Sequence, residues 1–223
     1  MRVALVGYSG YWGEKLARAL GQLGHSVVDW IDTKNEQELE DTDADAAIIA
    51  TPPDTHFAIA MRAMQIGLDV LIEKPMAMNG KHALMLAAYA QKNGIVLSVD
   101  STFCHTASFR FLQSIGQPLL SYQSIRLAPP MPQATINAGW DLIVHDLSIL
   151  IGLGAISVGS SYVGAEDGSV ANASMALPSG GSAFIMASRA WPTKIREIVL
   201  HFPQCAYLWT LEGLMTTNMD IVI

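Results

Sequence analysis

Arg2-Val3-Ala4-Leu5-Val6-Gly7-Tyr8-Ser9-Gly10-Tyr11-Trp12-Gly13 decides the fold. A short apolar run ends in three glycines spaced GxxGxxG, after which Leu16, Ala17, Leu20 and Leu23 recur at helical spacing. The stretch reads as strand, glycine turn and helix. Such a turn lets a backbone approach a ligand closely and leaves helix N–H groups available, which suits a pyrophosphate, although a tight strand-to-helix connection would look the same. Asp32 ends the next apolar run, about 20 residues on, where a carboxylate can accept ribose hydroxyls. It would repel a 2′-phosphate, so the pattern favours NAD over NADP, a preference that Lys34 nearby moderates.

Outward from this stretch the alternation continues. Apolar runs at 46–50, 70–72 and 95–99 read as strands, and 55–66 and 81–92 as helices. The strands are apolar on both faces, which predicts a doubly wound parallel sheet covered by helices. The rhythm changes near residue 118. Strands are expected at 121–127, 157–163, 169–177, 183–189 and 195–202, with a Pro-rich loop at 128–132 and a helix at 140–153. That order suits a smaller α+β domain with an open, mostly antiparallel sheet. The expected division is therefore 1–118 and 119–223. Uncharged stretches at 147–165 and 168–188 approach spanning length, but serines, glycines and the Pro178-Ser179-Gly180-Gly181 turn break them into a helix, a strand and a hairpin.

Composition narrows the function. Of 223 residues 51% are hydrophobic and only 15% charged, against a usual charged share of about 25%, so disorder is excluded and burial between subunits is expected. Thirteen basic against 20 acidic residues give a net charge of −7, which offers no footprint for nucleic acid or an anionic membrane. Cys104 and Cys205 are far apart and lack metal-ligand spacing, so neither a disulfide framework nor a metal site is expected, and a reducing, cytoplasmic setting is. Residues 2–7 are too short an apolar core for a signal peptide.

Two further clusters carry ionisable groups. Glu73-Lys74-Pro75 ends a strand, at the sheet edge where open α/β folds bind ligands. Alone it could be a surface charge pair before a turn. Asp141 and His145 stand at i, i+4 on a helix that is otherwise apolar, where ionisable groups need a reason, though an isolated pair of this kind is as readily a solvated helix surface.

Together, the Gly7–Gly13 turn, Ala50-Thr51-Pro52-Pro53-Asp54-Thr55-His56, Glu73-Lys74-Pro75 and Trp140-Asp141 with His145 resemble, over nearly the whole chain, the Gfo/Idh/MocA family of nicotinamide-dependent oxidoreductases. The resemblance implies a Rossmann domain holding NAD, followed by a substrate domain that often mediates oligomerisation. It implies catalytic roles for Lys74, His145 and Asp141, with the histidine as acid/base. It also implies a cofactor lining of Gly7, Ser9, Gly10, Tyr11, Trp12, Asp32, Thr51, Pro52, His56, Glu73 and Lys74.

Three features depart from the family pattern: the extra residue in the glycine turn, Asp100-Ser101-Thr102-Phe103-Cys104-His105 where many members carry a glycine and an arginine, and an end at Ile223 where typical members run on for roughly a hundred residues. Part of the usual substrate wall would then be missing or supplied by a neighbouring subunit. The expected activity is hydride transfer between NAD(H) and a secondary alcohol or ketone of a sugar, polyol or cyclitol-like substrate, in a homodimer or homotetramer built through the C-terminal sheet. The alternatives are a dinucleotide-binding regulatory or assembly protein without turnover, and an NAD-using enzyme with net non-redox chemistry. No metal is expected.

Overall fold

In the computed structural model, residues 1–32, 39–131, 136–155 and 159–216 are described. Lys34, the end of the Pro-rich loop at Pro132, the first residues of the strand expected from Ser157, and Ile223 lie outside them.

The chain forms two compact units, Met1–Asp100 and Ser101–Ile223. In the first, β1 (Arg2–Val6), α1 (Tyr11–Gln22), β2 (Ser26–Ile31), β3 (Ala46–Ile49), α2 (His56–Gln65), β4 (Asp69–Ile72), α3 (Gly80–Asn93) and β5 (Leu97–Val99) alternate as expected. The strands pair in the parallel order β2-β1-β3-β4-β5. Side chains of a strand alternate between faces, and here both faces are apolar. Ala4, Val6, Ala47 and Ile49 pack against Ile59, Ala60 and Leu86 of α2 and α3. Val3, Leu5 and Ile48 pack against Leu16 and Leu20 of α1. The order reverses direction at β1, so a crevice opens between the carboxyl ends of β1 and β3.

In the second unit a 3₁₀ turn (Thr102–His105) leads into α4 (Ala107–Ser114), then β6 (Ser121–Leu127), a π-turn (Gly139–Ile143) continuing as α5 (Val144–Gly152), and β7 (Gly159–Gly164), β8 (Val170–Ala176), β9 (Ser182–Ser188), β10 (Ile195–Phe202), β11 (Cys205–Trp209) and β12 (Leu214–Thr216). The sheet order is β12-β11-β10-β6-β9-β8-β7, antiparallel except for β6 beside β9. Its inner face, including Tyr122, Ile185, Ile198 and Leu200, packs with Ile149 and Leu150 of α5.

Three findings differ from the sequence expectation. The units divide at Asp100 rather than near residue 118, because Phe109 and Leu112 of α4 belong to the second core. The strands β11 and β12 and helix α4 had no counterpart among the expected elements. Residues 170–177 and 183–187 show no alternation of polarity, yet within one chain Ser174, Ala176 and Phe184 are exposed while Ala173, Met175 and Ile185 are buried, which leaves open the sheet face expected to pack between subunits. The alternation exists but is written in small and apolar residues, so polarity does not reveal it.

A polypeptide of residues 101–223 should therefore unfold in a cooperative urea transition, whereas 119–223 should not. The shorter piece lacks Phe109 and Leu112, and losing even one large core side chain costs about 2–5 kcal/mol. Equal midpoints for the two would overturn this boundary.

Candidate functional site

The candidate groups fall into two clusters, one in each unit. In the first, parallel register puts Gly7, Asp32, Ala50, Glu73 and Asp100 just past the ends of adjacent strands, on one sheet edge. The glycine turn leaves no room for side chains. A Cβ on Gly7, whose φ is +87°, would lie 2.7 Å from the Ala50 carbonyl oxygen, and one on Gly13 would lie 2.4 Å from the Gly7 oxygen. Gly10 caps α1 without any side-chain hydrogen bond, so the helix start faces outward with no residue of its own occupying it. Ser9 Oγ donates to Asp32 Oδ2 at 2.7 Å, which ties the turn to the carboxylate at the end of β2. A cradle closed to side chains, a helix N-terminus and a fixed carboxylate fit the pyrophosphate and ribose of a dinucleotide.

Tyr11 and Trp12 are exposed on the first turn of α1, with Lys15 Nζ 3.8 Å from the Tyr11 ring centroid. The segment after β3 is held from beneath: the buried His56 sets its ring nitrogens 2.9 Å from the Thr51 carbonyl oxygen and 2.8 Å from that of Pro75. Burial holds this ring below the ordinary histidine value, although both carbonyl contacts oppose the shift. His56 thereby joins Thr51 and Pro52 to the Glu73-Lys74-Pro75 segment. Glu73 is buried, and its Oε2 accepts from the Lys74 backbone N–H at 3.2 Å. Burial, reinforced by Asp100, pushes its carboxyl up to about 7, while Lys74 draws it back.

In the second unit the π-turn carries Asp141 and α5 carries His145. Asp141 is buried and ion-paired: Arg189 Nε donates to its Oδ2 at 2.6 Å and Arg189 Nη2 donates to the same oxygen. Asp146, the residue after His145, is fully buried. Tyr122 Oη donates to it at 2.6 Å and Arg126 donates through Nε and Nη2. The His145 ring meets Phe103 edge to face, centroids 5.1 Å apart. Sequence reasoning missed Arg189, Arg126 and Phe103. An arginine closing the uncharged run 182–188, and one inside the strand 121–127, were the available signals.

Comparison with known proteins agrees with this geometry. Residues 25–101 match the Gfo/Idh/MocA family, described as an oxidoreductase family with an NAD-binding Rossmann fold. The chain is 35% identical over 154 residues to the UDP-N-acetylglucosamine 3-dehydrogenase of Acidithiobacillus ferrooxidans, a match covering 66% of this chain and 49% of that protein. It is 27% identical over 133 residues to the 1,5-anhydro-D-fructose reductase of Ensifer adhaerens, covering 53% and 40%. The chain spans about half the length, or less, of these curated relatives. A solved structure of the Acidithiobacillus enzyme superposes with a TM-score of 0.87 at 26% identity, over 97% of this chain and 76% of that one. Over residues 25–101 the first unit is thus similar to the NAD-binding Rossmann fold of the Gfo/Idh/MocA oxidoreductases.

The Glu73 environment gives a pH signature. Unfolded, the carboxyl ionises near 4.5, but folded only near 7, so stability falls as pH rises through that window and stays lower above it. Glu73→Gln should accordingly raise the melting temperature at pH 8 and change it little at pH 5. An equal shift at both pH values would contradict the assignment.

Proposed function

We propose that this protein is an NAD-dependent oxidoreductase acting on a secondary alcohol, or the corresponding ketone, of a sugar, polyol or cyclitol-like substrate. The observation that carries the reading is the meeting, on one sheet edge, of a glycine turn closed to side chains, the Ser9-fixed Asp32 carboxylate and the Lys74 segment. The names of the relatives, a nucleotide-sugar dehydrogenase and an anhydrosugar reductase, support a carbohydrate substrate.

Gly7, Ser9, Gly10, Tyr11 and Trp12 would hold the pyrophosphate side of NAD, Asp32 its adenosine ribose, and Thr51, Pro52, His56 and Glu73 the wall toward the nicotinamide. Bound there, NAD supplies the hydride acceptor. His145 would take the proton from the substrate hydroxyl in the oxidation direction and return it in the reverse direction. Lys74 orients the substrate oxygen and stabilises its developing negative charge. Asp141, already committed to Arg189, fixes the start of the helix that carries His145. Small-molecule binding in a cytoplasmic setting is consistent with two free cysteines and with the absence, among the described residues, of any helix long and apolar enough to cross a membrane.

Lys74→Ala and His145→Ala should each lower turnover by about 10²- to 10⁴-fold while leaving NAD binding and thermal unfolding nearly unchanged. Retention of more than about a third of the wild-type rate corresponds to under 1 kcal/mol and would remove the residue from its role.

The outer face of the second sheet supports self-association. Ile125 and Phe184 are 38% and 49% exposed there, beside Met186, Val199 and Leu208 on paired strands. Exposed apolar side chains clustered on a sheet face suit an interface, and a two-fold axis would bury two such faces together. Light scattering after size exclusion at low micromolar concentration should give a dimer or tetramer. A 24.0 kDa species would refute it.

A further inference from the structure

The second unit holds a half-buried arginine, Arg196, that forms no ion pair among the described residues. Arg126 and Arg196 face each other across β6 and β10 on the inner side of the sheet. Asp146 is committed to Arg126 and Tyr122, and Asp141 to Arg189. Arg196 has no ion pair among the described residues. Its Nη2 donates to the Thr210 carbonyl oxygen, and its Nε is enclosed with no hydrogen-bond acceptor. Its guanidinium lies 4.7 Å from the Phe103 ring centroid and 5.5 Å from that of Trp209. Arg126 approaches the same Phe103 ring at 4.6 Å. Burial and the like charge of Arg126 lower Arg196 to about 10, which leaves it cationic at neutral pH.

Phe103 also meets the ring of His145, so one benzene ring lies against both the candidate acid/base and the uncompensated arginine. Arg196 is itself only half-buried. An enclosed charge without a counterion is costly, and a charge-assisted hydrogen bond from an anion offsets that cost. We infer that Arg196, seated on Phe103 and Trp209, is a substrate-recognition residue that takes an anionic group, a carboxylate or a phosphate, carried by the substrate near its reacting carbinol. This rests on the reading of His145 as the acid/base, and narrows the substrate class from neutral polyols to sugar acids or sugar phosphates.

The test compares matched ligands by calorimetry on the NAD-loaded protein: D-glucose, D-glucuronate and D-glucose 6-phosphate. At least one anionic ligand should bind ten- to a hundredfold more tightly than glucose, the range expected for hydrogen bonds to a charged group. A lead for glucuronate alone assigns a carboxylate, and one for the phosphate alone a phosphoryl group. Arg196→Gln should abolish the preference without altering NAD affinity, and Arg196→Lys should keep part of it. Equal affinity for neutral and anionic ligands, no binding of either anion, or a preference that survives Arg196→Gln would overturn the inference; the wild-type comparison decides even if the glutamine variant does not fold. Binding needs no turnover, so an anion preference in a protein inert toward every carbinol would refute the oxidoreductase reading and leave the Arg196 site standing.

Discussion

Everything in the first unit depends on a turn with no space for a side chain. The peptide leaving β1 must pass under the backbone of residues 50 and 51 and turn into α1 within a few residues, and the positions of Gly7 and Gly13 admit no Cβ without moving backbone atoms. That compression brings the start of α1 up to the carboxyl edge of the sheet at the point where strand order reverses. The same parallel register that aligns the strands then delivers Asp32 from the end of β2, Thr51 from the end of β3, and Glu73 and Lys74 from the end of β4 to that edge. The chemistry is local to the edge because the strands beneath it are apolar on both faces and offer nothing else.

The second unit solves a different problem, that of holding ionisable groups on an otherwise apolar helix. Its answer is to give each carboxylate an arginine from the sheet: Asp141 takes Arg189 from the end of β9, and Asp146 takes Arg126 from β6 together with the Tyr122 hydroxyl. Breaking a buried pair of this sort strands a charge and costs several kcal/mol, about 3–5, which fixes the helix by penalty more than by attraction. His145 lies between the two anchored aspartates along the chain, so its backbone position is set by pairs that do no proton transfer themselves.

Much of the first unit was legible because local rules and tertiary outcome coincide there: glycine spacing, alternating apolar runs and helical periodicity each point to the same parallel sheet. The second unit was less legible. The pair Asp141 and His145 stood out as ionisable residues on an apolar helix, but the arginine that pairs with Asp141 lies 48 residues further on and the one that pairs with the neighbouring Asp146 lies 20 residues earlier, separations that no spacing rule covers. Helix α4 was missed because residues 107–114 carry serines and an arginine among few core positions, with the buried Phe109 and Leu112 and the partly buried Phe111 tying it to the second core. Which residues of β8 and β9 face outward was not legible because serine and alanine occupy both faces of these strands, so polarity does not mark the open side.

In the proposed cofactor site the glycine turn and the Ser9-held Asp32 select NAD over NADP. Titration of NAD and NADP into the protein, followed by intrinsic fluorescence with the exposed Trp12 as reporter, tests it most directly. NAD should bind the more tightly, since the Asp32 carboxylate repels a 2′-phosphate in a partly desolvated site. Equal affinities, a preference for NADP, or no binding of either dinucleotide would contradict it.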